Sequence, residues 1–162
     1  MPPTIRRLEP ADVAAVVAFS LRAWVPVFTS FEQVLGTGIY RRIFPDWSAG
    51  QAQAVEQACS DDAATVWVAV TDDRPVGFVA VTFHDEGGAR AGEIDMLAVD
   101  PDVQRHGVAA ALISVALDHL RKAGVRLAVV ATGGDPGHAP ARHAYESAGF
   151  TALPQVRYYK AL

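Results

Sequence analysis

The most chemically suggestive stretch of the sequence is a glycine-containing turn that joins a predicted strand to a predicted helix. It reads Val99-Asp100-Pro101-Asp102-Val103-Gln104-Arg105-His106-Gly107-Val108-Ala109-Ala110. Gly107 and Ala109 have little or no side chain, so a ligand can approach the backbone, and the unpaired N–H groups at the start of a helix attract anions. The turn is neither a Walker loop nor a Gly-x-Gly-x-x-Gly dinucleotide turn. It indicates a phosphate cradle or, as the alternative, a glycine that merely begins a helix.

The elements on either side of this turn are a strand, a helix and a second strand, which together must position it. Glu93 to Val99 is the third strand of a predicted antiparallel meander, and Leu112 and Leu120 belong to one apolar face of the helix after the turn. Gly124 is the glycine expected just after that helix. Arg126 to Ala131 is an apolar strand, which predicts a central place in the sheet and a right-handed parallel crossover.

The rest of the chain supplies the surrounding elements. Thr4 to Leu8 predicts a first strand, and a helix from Pro10 to about Ala23 is expected to stop at Pro26. Capping patterns that begin at Ser30 and Ser48 predict two further helices. Thr65 to Thr71 and Pro75 to His84 predict the two strands of a hairpin. Ala139 to Ala148 predicts a last helix, and two short strands are expected on either side of Pro154. This order predicts a mixed α/β (α+β) fold with about six or seven strands and flanking helices, in one domain over residues 1–162.

The composition excludes several classes of protein. The 162 residues are 51% hydrophobic and 20% charged, which is typical of a globular chain and not of a disordered or collagen-like one. Fourteen Lys and Arg against eighteen Asp and Glu give a formal net charge of −4, which does not favour nucleic acid or an anionic membrane as partner. The most apolar run, Val108 to Leu117, is shorter than the ~20 residues needed to cross a bilayer.

Cysteine and histidine usage and the N-terminus add further expectations. The single cysteine, Cys59, cannot form an internal disulfide, and the histidines have no tight metal-ligand spacing. The N-terminus lacks the apolar stretch of a signal peptide. We therefore expect a cytoplasmic protein that binds no metal and no membrane.

Three motifs taken together make the chain resemble the GCN5-related N-acetyltransferase (GNAT) family. Gln104-x-x-Gly107-x-Ala109 resembles the pyrophosphate loop of that family, and Glu93 to Val99 resembles the strand before it. Ala141-x-x-x-Tyr145-Glu146-x-x-Gly149-Phe150 resembles the family's last helix and the strand after it. The order of elements from Thr4 to about Tyr159 matches as well, so the resemblance covers nearly the whole chain.

The resemblance implies that coenzyme A binds in a V-shaped gap where the third meander strand and the parallel strand splay apart. The backbone of Leu97 and Val99 would then hold the pantetheine arm, and N–H groups from Arg105 to Ala110 would hold the pyrophosphate. The side chains of Arg105 or His106 would add charged contacts or simply face solvent. The implied cofactor-binding positions are Leu97, Ala98, Val99, Gln104, Arg105, His106, Gly107, Val108, Ala109, Ala110, Thr132, His138, Ala141 and Tyr145.

The family transfers an acetyl group from the thioester directly to an amine, which calls for a base and an acid. An alkyl amine with a pKa near ~10 is mostly protonated at neutral pH, and a departing thiolate gains from a proton donor. The resemblance makes Tyr145 the acid, with a core tyrosine as the alternative. It makes Glu93 the base, through water or with a pKa raised by burial, and Asp95 a substitute on the same strand face. Glu93 and Asp95 would alternatively hold a cationic substrate by charge.

One position departs from the family pattern. Seven residues before Tyr145 the family often has an asparagine, where this chain has His138. An imidazole also donates and accepts hydrogen bonds, so it can keep the asparagine's contact, act as a base or reach the substrate.

The acceptor depends on segments whose structure the sequence determines least. Aromatic residues concentrate between Trp24 and Trp47, where they either pack as core or line a cleft. The candidate substrate-binding residues are Trp24, Phe28, Phe31 and Glu93. We predict an N-acetyltransferase for a small cationic amine. The alternatives are a protein N-terminus or lysine as acceptor, and a non-catalytic acyl-CoA sensor. Dimerisation is common in the resembled family, so a homodimer is also consistent with the resemblance.

Overall fold

Five strands form one mixed sheet in the order β1-β2-β3-β4-β5. The computed structural model describes residues 2–162. The strands are β1 Thr4–Arg7, β2 Thr65–Thr71, β3 Arg74–Glu86, β4 Ala89–Val99 and β5 Ala128–Val130. Consecutive strands among the first four are antiparallel to one another, and β5 is parallel to β4. Asp72 and Asp73 turn the β2–β3 hairpin with φ of 50° and 59°, which suits the twist of such hairpins.

Helices cover both faces of the sheet. They are α1 Val13–Leu35, α2 Thr37–Ile43, α3 Trp47–Ser60, α4 Val108–Lys122 and α5 Ala139–Ser147. On one face, Val16 and Phe19 of α1 and Val55 of α3 pack with Phe78. On the other face, Leu112 and other apolar residues of α4 pack with Tyr145 of α5 and with the sheet. The expected mixed α/β architecture is confirmed, with five strands where about six or seven were predicted.

The first helix is longer than predicted. It continues through Pro26 to Leu35, although Pro26 has no N–H to donate to the preceding turn. Val27, Phe28 and Ser30 are all buried beyond the proline, so tertiary packing holds the helix together. Ser30 therefore lies inside α1 and begins no helix.

The other predicted helix start is also displaced. The side chain of Asp46, and not that of Ser48, accepts a hydrogen bond of 3.1 Å from the Ala49 N–H at the start of α3. A carboxylate caps the free N–H groups at a helix start as well as a hydroxyl does. The sequence therefore does not distinguish Asp46 from Ser48, two residues away, as the capping residue.

The segment Pro10–Leu35 has the length and hydropathy of a membrane span, with a mean hydropathy of 1.6 in its most apolar window. A third of that window is buried inside the fold. A core helix satisfies the same criteria, and here α1 packs on the sheet through Val16 and Phe19. This helix, and not the run from Val108 to Leu117, is therefore the one to consider for a span.

The C-terminal part of the sheet differs from expectation. The strand β5 is the edge of the sheet, where a central position was predicted, because no strand of residues 2–162 pairs with its outer side. The two strands expected around Pro154 are absent from the described chain. Residues 151–162 are exposed, with Leu153 and Tyr158 at 80% and 89%. An apolar segment forms a strand only where a neighbouring strand pairs with it. No strand among residues 2–162 pairs with the segment around Pro154.

Candidate active site

The strand β5 pairs with β4 over its whole length but ends at Val130, well before the end of β4. Gly92, Glu93 and Ile94 pair with β5, whereas β4 continues along β3 as far as Val99. From Asp95 to Val99 the outer edge of β4 has no partner strand among residues 2–162. Backbone N–H and C=O groups on such an edge can bind a ligand. The position of this unpaired edge is consistent with the V-shaped gap that the resemblance implies.

A β-bulge lies where the gap opens. Ala80 pairs with Met96 and Val81 pairs with Ile94, so Asp95 is an extra residue in β4. Ile94 packs in the core on the α4 side, whereas Met96 packs on the α1 side. Two residues that would share a face in a regular strand thus lie on opposite faces. We expected alternation to place Asp95 on the face of Glu93. The bulge interrupts the alternation at the exposed Asp95, so alternation cannot be used to place it.

The turn before α4 has left-handed backbone at two positions. Gly107 has φ +80° and Arg105 has φ +66°. A non-glycine residue at positive φ is uncommon and is often found at functional sites. The backbone hydrogen bond that joins α4 to this turn runs from the Ala111 N–H to the Gly107 carbonyl at 3.0 Å. The N–H groups of Val108 to Ala110 are therefore available at the positive end of the α4 dipole.

The side chains of this turn divide into two groups. The Gln104 amide donates to the Val99 carbonyl at 3.1 Å, and Nδ1 of His106 donates to the Val103 carbonyl at 3.2 Å. Both therefore brace the turn. The Arg105 side chain is exposed beside Gly107 and can add a charged contact to an anion.

The other candidate cofactor positions differ in which groups they can offer. Ala98 and Val108 are buried with their side chains in the core, so only their backbone can contact a ligand. Leu97 and Ala141 are half-buried against the core on the α4 side. Thr132 is exposed in the loop that follows β5.

Tyr145 is buried on the α4 side of the sheet, 9% exposed and edge-on to Phe150 at a centroid distance of 5.9 Å. Burial raises the pKa of Tyr145 to about 12, because the ionised phenolate would lose its hydration. The hydroxyl therefore stays protonated at neutral pH and can serve as a hydrogen-bond donor.

Glu93 faces the opposite side. Its neighbours Gly92 and Ile94 both face α4, the first against Leu120, so alternation directs Glu93 toward the α1 side. Its Oε2 lies 3.4 Å from Nδ1 of His84, whose Nε2 lies 2.7 Å from Oε2 of Glu86. The Glu93 side chain is 31% exposed, so water reaches the carboxylate. That exposure favours action through water over action through burial.

The aromatic residues between Trp24 and Trp47 mostly pack with one another. Phe28 stacks on Trp47 at 4.5 Å and meets Phe31 and Phe44 edge-on at 5.4 and 5.2 Å. Trp24 lies apart, against the core between α1, α3 and the sheet. Phe31 is the member of this aromatic cluster that reaches the loop after β5, with its ring 5.5 Å from that of His138.

Sequence reasoning missed three residues around His138. Asp135 accepts hydrogen bonds from the Ser30 hydroxyl and from Nδ1 of His138, at 2.7 and 2.5 Å. Nη1 of Arg142 donates to the carbonyls of Gly133 and Asp135 at 2.6 and 2.7 Å. An Asp before Pro is a recognisable start of a helical turn, so Asp135 could have been singled out. Ser30, 105 residues away, could not.

Metal ligands are not grouped at this site. Among residues 2–162, no cluster of three or more His, Cys, Asp or Glu side chains is placed to hold a metal ion.

Comparison with known proteins is consistent with this geometry. The mycothiol acetyltransferase of Geodermatophilus obscurus is 34% identical over 108 residues, which are 65% of this chain and 34% of that protein. This chain therefore spans about a third of the length of that relative.

Two solved structures share the fold at low identity. A predicted acetyltransferase from Clostridium acetobutylicum with acetyl-CoA has a TM-score of 0.63 at 14% identity, over 97% of this chain and 95% of that one. An aminoglycoside acetyltransferase from an uncultured soil metagenomic sample, in complex with sisomicin, has a TM-score of 0.58 at 20% identity, over 98% and 95%. A family model for the acetyltransferase (GNAT) family matches residues 33–150. The resemblance seen in the motifs is thereby confirmed, and the chain belongs to the GNAT acetyltransferase family.

Proposed function

We propose that this chain transfers an acetyl group from acetyl-CoA to the amino group of a small cationic molecule. The observation that carries the proposal is the gap beyond Ile94, which leads to the exposed turn at Gly107. GNAT acetyltransferases use acetyl-CoA, and a structural neighbour was solved with it.

The residues at the gap suit a coenzyme A molecule. Its extended amide-containing arm needs backbone donors and acceptors, which the edge from Asp95 to Val99 offers. Its pyrophosphate needs N–H donors and positive charge, which the first turn of α4 and Arg105 offer. No heavy atom lies within 4 Å of the position that a Cβ on Gly107 would take, so there is room for a phosphate to approach.

Bound acetyl-CoA supplies the acetyl group as a thioester. The reaction breaks the C–S bond and forms an amide C–N bond. The nitrogen loses a proton, and the departing sulfur gains one. The pKa of Tyr145, about 12, is well above the pKa of a thiol, ~8.5. Full proton transfer from Tyr145 to a thiolate would thus be uphill by about 5 kcal/mol. Tyr145 therefore donates a hydrogen bond, which lowers the energy of the developing charge, and keeps its proton. CoA then leaves as the thiolate and takes its proton from water.

The α1 side of the gap supports a cationic acceptor. Glu93 and Glu86 are acidic, water-accessible and joined through His84, so they favour an ammonium group over an anion. The relative from G. obscurus is named for the small molecule mycothiol, and the soil metagenomic neighbour holds sisomicin. Both names are consistent with a small acceptor.

Thermal unfolding with acetyl-CoA, CoA, dephospho-CoA and ATP tests the donor. A ligand at a hundredfold excess over its Kd adds about 2.7 kcal/mol, which is about 5–10 °C in Tm for a chain of this size. We expect that shift with acetyl-CoA and CoA but little with ATP. No shift at millimolar CoA would overturn the proposal.

Thiol release from acetyl-CoA then tests the acceptor, with sisomicin, spermidine and a peptide that bears a free N-terminus and a lysine. We expect faster release with sisomicin or spermidine. Faster release with the peptide would indicate a protein acceptor, and binding without release would indicate a sensor. Self-association stays a prediction, which light scattering on the same sample measures.

A further inference from the structure

We propose that His138 takes the proton from the acceptor's ammonium group, and that Asp135 fixes the imidazole in the tautomer that can do so. This inference rests on the proposed function and adds to it a base that the family pattern does not provide, because the family often has asparagine at this position.

Asp135 is held from three directions. Its Oδ1 lies 2.5 Å from Nδ1 of His138, and its Oδ2 accepts hydrogen bonds from the Ser30 hydroxyl at 2.7 Å and from the Gly137 N–H at 3.1 Å. The Asp135 side chain is only 10% exposed, and Ser30 is 5% exposed. This carboxylate is therefore a buried, fully engaged acceptor.

The charge of Asp135 decides the tautomer of His138. Burial alone would raise the pKa of Asp135, but the hydrogen bonds from Ser30 and His138 outweigh it and lower that pKa. An ionised carboxylate can only accept, so Nδ1 of His138 must carry the proton of this bond. In the neutral imidazole Nε2 then bears the lone pair, which makes it the ring's proton acceptor.

The loop packs closely around Asp135 and His138, with glycine at two positions where a side chain would clash. A Cβ at Gly133 would lie 2.3 Å from Oδ1 of Asp135 and 2.5 Å from Nδ1 of His138. A Cβ at Gly137 would lie 2.7 Å from the Cβ of Ser30. Arg142 ties the carbonyls of Gly133 and Asp135 to α5. These contacts lock the loop between α1 and α5, and a locked loop orients the imidazole.

His138 lies at the end of the loop that follows β5, directly before α5. The strand β5 ends at Val130, and the loop after it reaches α1, where the His138 ring lies 5.5 Å from Phe31. The His138 side chain is 17% exposed, so Nε2 is close to solvent without being fully hydrated. That placement suits a base that meets a substrate entering from the α1 side.

The proton step balances without a further reactant. The ammonium group gives one proton to Nε2, which leaves a neutral amine with its lone pair and an imidazolium ion. Asp135 stabilises the imidazolium by charge, and the proton later leaves to water. No bond to carbon changes in this step, so the amine is ready to attack.

The test combines a spectroscopic and a kinetic measurement. Imidazole ¹⁵N spectra of the full chain should show His138 protonated at Nδ1, and the His138→Asn variant assigns the signal by difference among the five histidines. His138→Asn should keep the Tm shift with CoA and lower kcat with sisomicin or spermidine by about 10²–10⁴-fold. Asp135→Asn should abolish the Nδ1–H signal and lower kcat while CoA still binds.

His143→Asn is the matched control, because His143 is an exposed histidine on α5. It should change neither the His138 signal nor kcat. An unchanged kcat in His138→Asn, or a wild-type His138 protonated at Nε2, would overturn the proposal. A wild-type chain that binds CoA, shows the Nδ1–H signal and acetylates no amine would instead overturn the proposed function, and with it the catalytic role of His138, while the tautomer assignment stands.

Discussion

Glu93 and Tyr145 lie on opposite faces of the sheet, Glu93 on the α1 side and Tyr145 on the α4 side. Ile94 packs in the same core cluster as Tyr145, and Glu93, the residue before it, therefore faces α1. The β5 loop brings His138 to the α1 side as well, against Phe31. Groups that can accept a proton are thus on one side of the sheet, and the hydroxyl that can donate to sulfur is on the other.

Tyr145 should make the wild-type chain lose more stability at alkaline pH than Tyr145→Phe loses. The pKa of Tyr145 is about 12 in the folded state and ~10 when unfolded, so above pH 10 the unfolded chain ionises first and stability falls as pH rises. We expect wild type to lose about 1.4 kcal/mol more than the variant by pH 11. Urea unfolding at pH 8 to 11 measures the difference, and parallel curves would contradict the burial of this hydroxyl.

Gly107→Ala should weaken coenzyme A binding, with Gly124→Ala as its matched control. Both glycines flank α4, have φ near +80°, and would place a Cβ in open space. Each variant should therefore lose about 1–2 kcal/mol of stability from backbone strain. Only Gly107→Ala should also raise the Kd for CoA, by about tenfold or more, because its Cβ would occupy the space through which a phosphate approaches the N–H groups of Val108 to Ala110. Equal CoA affinities in the two variants would mean that the turn merely begins a helix.

Glu93→Gln should lower kcat/KM for a cationic acceptor by about two- to fivefold, which is the size of a partly exposed charge interaction. The effect should shrink at high salt. Asp95→Asn makes the same change at the exposed bulge, two residues along β4, and should have a smaller effect. Steady-state kinetics at two ionic strengths measure both variants. Unchanged kinetics in both would refute recognition of the acceptor by charge.

Gly92→Ala should destabilise the sheet. A Cβ at this position would lie 2.0 Å from Cδ2 and 2.8 Å from Cγ of Leu120, which is itself 2% exposed and cannot move freely. We expect a loss of about 1–3 kcal/mol in the free energy of unfolding. Gly38→Ala in α2 meets nothing within 4 Å and should instead raise stability by up to about 1 kcal/mol. Chemical denaturation of both variants checks the opposite signs.

The sequence by itself determined the features that depend on local chemistry. Gly107 must be a residue that tolerates positive φ, and the alternating apolar residues of β2 to β4 predict the meander that the structure shows. The turn, the strand before it and the helix with Tyr145 each lie within a few consecutive residues. Short-range patterns of this kind were enough to indicate the family, which the family model over residues 33–150 confirms.

The tertiary structure decided what depends on residues far apart in the chain. Packing beyond Pro26 carries α1 on to Leu35, and the bulge at Asp95 appears only when β4 pairs with β3. The bond from Ser30 to Asp135 joins residues 105 positions apart, and neither residue type predicts the other. The fold alone brings Asp135 to His138 against α1, because the energy of a buried polar contact depends on all the groups that surround it and not on their spacing along the chain.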